Sequence, residues 1–377
     1  MVRKILQIGY LNPFKKFGGV EKYIQNLSKS MNELYHVEVD VLCADNISGI
    51  LKSEYGNIIH FKVPFFGKGN LLFISKLYYG FLVSGYLSSH FKDYDIIHFH
   101  GDNGIIWTKF SDRSVLTLHG ISKNISSLKE RIISFIPAMI EKNNAKRART
   151  IFSVSREAKD FFGNYVAGIE VIKPSIDTSL FCPPTNSDKI KVREKLGISA
   201  GEIIGSITGR DWKRKGLDIA ISAIERVKDP RIHLVAIGFP DVKHADTKVK
   251  VTGNIDEETK RYFLVASDFF IFPSYKEGFP IAVLEAAGCG LPLIVSKQSG
   301  VSELAPIVPF YQEVYSRSPD EYARALIEFL KFYSEGGLSN YAYNLNALDQ
   351  YSIKNTVTKY MKAYTDIERM NGSLSSL

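Results

Sequence analysis

Short apolar runs alternate along this chain with longer amphipathic stretches. The segments Lys4–Ile8, Glu38–Cys43, Ile58–Lys62, Ile96–Phe99, Val115–Leu118 and Ile151–Val154 read as strands, separated by helical patterns that begin near Val20, Leu71 and Ser126. A second series follows at Ile203–Thr208, His233–Ile237, Lys248–Val251, Phe269–Phe272 and Leu293–Val295, again with helices between, among them Leu217 to Val227. Strands alternating with helices predict an α/β fold with parallel sheets, which bind ligands beyond the carboxyl ends of their strands. A chain of 377 residues with 45% hydrophobic content has material for two cores. Domains are expected at 1–175 and 176–351. A tail helix, 352–370, starts from a Ser352 cap and runs from Ile353 to Met370, and Asn371 to Leu377 reads as disordered. No internal repeat of fixed period is present.

One segment breaks this pattern in an informative way. Glu277-Gly-Phe-Pro-Ile-Ala-Val-Leu-Glu285 carries two carboxylates eight positions apart, and from Phe279 to Val295 Glu285 is the only charge. A buried carboxylate is costly without hydrogen-bond donors. The donors expected here are a structural Arg or Lys, or a ligand with hydroxyl groups. Pro280 suits a first helical position, because its missing N–H would be unpaired there anyway. The strand-like Asp268-Phe-Phe-Ile-Phe-Pro-Ser274 delivers the chain through Tyr275 to Gly278 into that helix. Free N–H groups and the helix dipole make the turn at Gly278, Phe279, Pro280 and Ile281 an anion seat, with Glu277 just outside it and Glu285 one turn deeper. Such a site fits a molecule with phosphates in its middle and hydroxyls at both ends, as a nucleotide sugar has.

A basic cluster supports this. Gly205-Ser-Ile-Thr-Gly-Arg210-Asp-Trp-Lys-Arg-Lys215-Gly216 lies between a strand and an amphipathic helix, and places Arg210 and Lys215 in the intervening loop, where two cations could meet a diphosphate. The bland alternative is a solvated basic turn. Nearer the amino end, Gly18-Gly19 between strand and helix reads either as a plain turn or as a place where backbone approaches a phosphate or sugar. His98 and His100 share one strand face, but no carboxylate or Cys motif completes a metal set, so they read as core or cleft histidines.

Glu277 to Glu285 resembles the E-x7-E motif of retaining glycosyltransferases. With Phe272-Pro273-Ser274 before it and Gly300-Val-Ser-Glu303 after it, the segment closely resembles glycosyltransferase family 4. The resemblance continues through Gly18-Gly19-Val20-Glu21, Asp95-Ile-Ile-His-Phe-His100, Leu116-Thr-Leu-His119-Gly120, Phe152-Ser-Val-Ser155, Arg210 with Lys215-Gly216, and Gly253, in order over nearly the whole chain. It implies the GT-B fold, two Rossmann-like domains facing each other across a cleft, with the tail helix packed back on the first. It also implies catalytic roles for Glu277 and His119, ribose hydroxyls on Glu285, the diphosphate on Arg210 and Lys215, and closure of the site by His119 and Gly18-Gly19. Two departures stand out. Lys173-Pro-Ser-Ile-Asp177 replaces the Pro-Asn-Gly-Val-Asp common at the linker, and Gly120 follows His119 where many members carry an acid.

Composition changes the picture in two places. Cys43, Cys182 and Cys289 are few, odd in number and widely spaced, which predicts neither a disulfide framework nor a zinc site and suits a reducing cytoplasm. Met1-Val-Arg-Lys runs straight into a strand, so no signal peptide is expected. Leu71 to Leu87, interrupted by Lys76, Gly80 and Gly85, falls short of the roughly 20 apolar residues of a spanning helix and reads as a buried or an interfacial one. Charge is uneven: residues 1–180 hold 23 Lys and Arg against 16 Asp and Glu, the remainder 25 against 24. The basic half beside Phe65, Phe66, Leu71, Leu72 and Phe73 suggests contact with an anionic membrane surface, against the alternative of ordinary solvated surface around residues such as Lys146, Arg147 and Arg149. Nucleic acid is not expected, since the basic residues form no stripe interleaved with aromatics.

The expected function is transfer of a sugar from a nucleotide-sugar donor to a glycan, lipid-linked or similar hydroxyl acceptor, with no metal and no other cofactor. The competing readings are another enzyme on the same fold, such as a nucleotide-sugar epimerase or a phosphorylase, and a catalytically inactive glycosyltransferase-like binding protein.

Overall fold

The computed structural model describes the chain except residues 1, 14–17, 65–71, 102–111, 121–138, 241, 243–247, 276, 298–299, 339–340, 342 and 375–377, with the backbone alone at Phe73, Leu345 and 372–374. The chain divides into two compact units, Met1–Pro174 with Ile353–Leu377, and Ser175–Ser352.

In the first unit, strands β1 (Lys4–Leu11), β2 (Glu38–Asp45), β3 (Gly49–Lys52), β4 (Asn57–Lys62), β5 (Ile96–His100), β6 (Ser114–Leu118), β7 (Thr150–Ser153) and β8 (Glu170–Val171) form one sheet. Their order is β3-β4-β2-β1-β5-β6-β7-β8, parallel except for β3 against β4. Helices α1 (Gly19–Tyr35), α2 (Leu72–His90) and α3 (Arg156–Gly163) connect strands, and residues 139–147 are helical. The helical pattern expected from Ser126 and the residues Phe65, Phe66 and Leu71 lie outside the described residues. The central strands are buried on both faces, β5 at every position and β2 at every position after Glu38, so even Asp40, His98 and His100 lie in the interior.

The second unit holds β9 (Ile203–Thr208), β10 (Ile232–Ile237), β11 (Val249–Gly253), β12 (Phe269–Phe272), β13 (Leu293–Ser296) and β14 (Tyr311–Val314), all parallel, in the order β11-β10-β9-β12-β13-β14. Its helices are α4 (Asn186–Lys195), α5 (Trp212–Lys215), α6 (Leu217–Val227), α7 (Glu257–Ala266), α8 (Ile281–Gly288), α9 (Pro319–Ser334) and α10 (Leu345–Asp349). Counted within the unit, the strand order is 3-2-1-4-5-6, and the direction of winding reverses between β9 and β12. A crevice opens beyond the carboxyl ends of the strands at such a reversal. The first sheet reverses likewise between β1 and β5.

The tail helix α11 (Ile353–Leu374) packs on α1, where Tyr23 donates to the Tyr360 hydroxyl at 2.7 Å and Tyr35 to Thr358 at 2.8 Å. It continues past Met370, correcting the expectation of disorder from Asn371. Gly372 has no intrinsic power to end a helix whose preceding turns are held by packing. β3, β8 and β14 escaped the sequence reading because each is four residues or fewer and carries charged or polar positions. The Leu71–Leu87 segment is apolar all round, but as α2 it buries only one face, through Tyr79, Val83 and Leu87, and leaves Ile74, Tyr78 and Phe81 exposed. Tyr79 explains the docking: its hydroxyl bridges the carbonyls of Gly9 and Leu42 at 2.6 and 2.9 Å, tying the helix to two neighbouring strands.

At the amino-terminal edge of the second sheet, Asp268 is 1% exposed and accepts from Lys189 at 2.8 Å, from Arg193 at 3.0 Å and from the Ile204 backbone N–H at 2.8 Å. This carboxylate pins α4 to the sheet. Asp268→Ala strands two cations and a backbone donor, so it is expected to destabilise the protein by about 3–5 kcal/mol. Denaturant unfolding of the two proteins, followed at constant pH, measures the difference.

Candidate functional site

The loops after β9 and β12 leave the second sheet at its winding reversal, and they carry most of the residues singled out in the sequence. After β9 the chain runs through Gly209 and Arg210 into the single turn α5, which Asp211 caps by accepting from the Arg214 N–H. Gly216 then takes a left-handed φ of 74° between α5 and α6, and a Cβ there would drive into the Pro273 carbonyl, so the two loops touch through a position only glycine can fill. Tyr275 N–H on the Arg214 carbonyl at 2.8 Å completes the contact.

This places Lys215 differently from the sequence reading. It closes α5 instead of lying in open loop, its stem crosses Gly209, and its ammonium meets Glu277 Oε1 at 2.7 Å. Burial pulls the Lys215 pKa below its ordinary value, and the Glu277 charge opposes that pull. Two more donors reach the same carboxylate oxygen: Ser274 Oγ at 2.6 Å and Arg214 at 3.0 Å. Glu277 is therefore anchored wholly through Oε1, and Oε2 accepts from none of them. Arg210 lies exposed at the end of β9.

Helix α8 starts at Ile281, one residue later than expected. Pro280 is its N-cap, with an extended ψ of 115°, and its carbonyl accepts from Val283 and Leu284. The N–H groups of Ile281 and Ala282 have no acceptor among the described residues, which leaves the helix end open to an anion. The Phe279 ring is buried against Tyr351, so only its backbone faces the turn. Gly278 is part-buried beside it.

Glu285, 2% exposed, has the structural cation that the sequence reading left as one of its alternatives. Lys260 of α7 reaches Glu285 Oε2 at 2.8 Å and also binds Glu257 at 2.9 Å. Lys260 and Arg214 were not picked out from sequence. A signal existed for Lys260: with Phe263 and Leu264 it falls on the buried stripe of an amphipathic helix, where a charge demands a partner.

In the first unit, Gly18 is the N-cap of α1 at φ −105°, and the Glu21 carboxylate folds back onto it, so a Cβ there would displace that carboxylate. A Cβ on Gly19 would meet nothing among the described residues. His119 follows β6 and is half-buried; burial lowers its pKa to about 3. Its Nε2 lies 3.0 Å from His100 Nδ1, and the Tyr23 ring packs edge-on against it. His98 and His100 are buried with their ring nitrogens taken by Thr117, Tyr364, Gln7 and His119. Among the described residues no group of His, Cys, Asp and Glu could hold a metal ion.

Two parallel-sheet α/β units with this strand order are the GT-B fold, and solved glycosyltransferases share it. Sucrose-phosphate synthase from Thermosynechococcus elongatus superposes with a TM-score of 0.80 at 17% identity, covering 97% of this chain and 99% of that one. Anabaena Alr3699/HepE, solved in complex with UDP-glucose, gives 0.68 at 16% identity, covering 96% and 99%. Residues 17–180 match the family described as Glycosyltransferase Family 4, and residues 203–331 the one described as Glycosyl transferases group 1. The chain belongs to the family-4 type of glycosyltransferase. Among curated relatives, UDP-Gal:alpha-D-GlcNAc-diphosphoundecaprenol alpha-1,3-galactosyltransferase of Escherichia coli is 27% identical over 245 residues, 58% of this chain and 62% of that protein. The chain spans about half to three fifths of the length of the curated relatives it matches.

Proposed function

We propose that this chain transfers a sugar from a nucleotide-sugar donor to a hydroxyl acceptor with retention of anomeric configuration. The observation that carries the reading is Glu277, a carboxylate fixed through one oxygen, with the other unengaged among the described residues, beside the amino end of α8. In this reading Oε2 of Glu277 receives hydroxyls of the transferred sugar. The diphosphate sits on the N–H groups of Ile281 and Ala282, on Arg210, and on the Lys215 N–H groups that Glu277 does not use. Glu285 takes the ribose hydroxyls. Charge grows on the leaving phosphate as the glycosidic bond breaks, so fixed cations and helix N–H groups lower the barrier without a metal. In the first unit, His119 and Gly19 are assigned to substrate binding on the strength of the resemblance. Retention follows from same-face attack, with no carboxylate assigned as a covalent nucleophile.

The named activity of the Escherichia coli relative and the UDP-glucose complex of the Anabaena protein support a nucleotide-sugar donor and a glycan or lipid-linked acceptor. A membrane-side acceptor has one further observation behind it. Ile74, Tyr78 and Phe81 stand one turn apart on the exposed face of α2, Phe81 62% exposed, in the unit that carries most of the positive charge. No helix among the described residues is long and apolar enough to cross a membrane, and the contact in this reading is at a membrane surface, expected on the cytoplasmic face.

The two glutamates should fail differently. Glu285→Ala removes a contact made in ground and transition states alike and should mainly weaken nucleoside diphosphate binding. Glu277→Ala should lower kcat by roughly 10²–10³ and leave nucleotide affinity nearly unchanged. Calorimetry and steady-state rates on both folded variants test this, and near-wild-type turnover of Glu277→Ala would move the reaction centre elsewhere.

Turnover should also survive excess EDTA. Activity that disappears and returns only with a divalent ion would overturn the metal-free clamp.

For the membrane contact, the protein should sediment with anionic vesicles and detach as salt rises, because exposed charges are screened within about 10 Å at 0.1 M. Neutral vesicles should retain much less, and Phe81→Ser should retain less on both. Equal recovery on both lipids, or on neither, removes the electrostatic contact.

A further inference from the structure

With the Gln7 amide oxygen turned towards His100, the polar groups beneath His119 form a chain whose arrangement of protons follows from one end to the other. Gln7, on β1, is fully buried; its amide nitrogen points at Met31 Sδ, 3.8 Å away, and its oxygen lies 2.7 Å from His100 Nε2. A carbonyl oxygen only accepts, so His100 Nε2 carries the hydrogen. Burial holds His100 well below its ordinary pKa, and the ring is neutral. A neutral imidazole with its hydrogen on Nε2 has a bare Nδ1. That atom faces His119 Nε2 at 3.0 Å, so His119 must donate from Nε2, which leaves its own Nδ1 bare. His119 Nδ1 has no protein partner among the described residues and is not among the buried unpaired atoms. Tyr23 holds the pair in place, its ring edge-on to both imidazoles with centroids 5.0 Å from His119 and 6.0 Å from His100.

We propose that Gln7 and His100 are positioning residues that set the tautomer of His119, so that it meets substrate through Nδ1 as a hydrogen-bond acceptor. The inference rests on the proposed role of His119 in substrate binding. It gives that role a chemical sign: a fixed acceptor takes a substrate hydroxyl and disfavours a phosphate oxygen. The alternative tautomer would present a donor at the same place and invert the preference. Neither Gln7 nor His100 needs to touch substrate.

The direct test is 15N NMR of the full chain labelled in its histidine rings. His100 and His119 should each show a protonated Nε2 and a bare Nδ1. A protonated Nδ1 on His119 in the wild-type protein overturns the proposal, whether or not any sugar is transferred, so this result is separable from failure of the glycosyltransferase reading. Variants add a second readout. Gln7→Leu and His100→Leu remove an acceptor and should turn the single His119 tautomer into a mixture. With it, kcat should fall about five- to tenfold, the scale of one lost hydrogen bond, with little change in nucleoside diphosphate affinity. His100→Asn, whose side-chain oxygen can stand where Nδ1 stood, should restore both the tautomer and most of the rate. A role in packing alone predicts the opposite ranking, with buried Leu tolerated better than Asn, and that outcome refutes the relay. Unchanged histidine shifts in folded Gln7→Leu refute it as well.

Discussion

Much of the candidate site depends on three donors converging on a single oxygen of Glu277. Lys215, Arg214 and Ser274 come from two loops that leave the sheet after different strands, and the carboxylate is what joins them. Removing water from this many charges carries a cost, and the donors offset it only because they arrive in fixed geometry. Gly216 is part of that geometry, since its left-handed turn lets the backbone after α5 lie against Pro273. The result is a carboxylate that cannot swing away from its cations, with one oxygen held and the other left for a partner from outside.

Buried carboxylates elsewhere in the same unit show what distinguishes a structural charge from one with capacity to spare. Asp268 uses both oxygens on Lys189, Arg193 and a backbone N–H, and stands at the amino-terminal edge of the sheet. Glu285 has Lys260 on one oxygen and sits on the helix that follows β12. Glu277 is the least enclosed of the three and stands beyond the carboxyl ends of the strands, where the reversal of winding opens the sheet. The residues are chemically alike, and their position relative to the sheet separates them.

The first unit solves a different problem, keeping uncharged polar groups satisfied in an interior. His98, His100, Thr117, Gln7, Tyr23, Tyr360 and Tyr364 exchange hydrogen bonds across β1, β5, β6, α1 and the tail helix. Desolvation keeps the histidines neutral, and neutrality is what allows one amide oxygen to dictate proton placement two rings away. The same contacts tie α11 to the sheet, so the end of the chain supports the residues around His119.

The sequence by itself determined the alternating α/β plan, the limits of strands such as Ile203–Thr208 and Phe269–Phe272, and the concentration of chemistry in the loops after β9 and β12. These are local signals, carried by hydrophobic period, by glycine and proline at turns, and by charges isolated in apolar runs. It marked Glu277, Glu285 and Lys215 but could not say which cation serves which carboxylate. Nor could it find Lys260, 25 positions before its partner, or place Pro280 outside the helix it precedes. It left α2 as either buried or interfacial, because a helix that is apolar on nearly every side has no pattern that says which face packs. Pairings between residues distant in the chain depend on strand order and on the close approach of loops, and only the tertiary structure decided them: sequence spacing fixes neighbours along one element, whereas ion pairs and proton positions are fixed by distances across several.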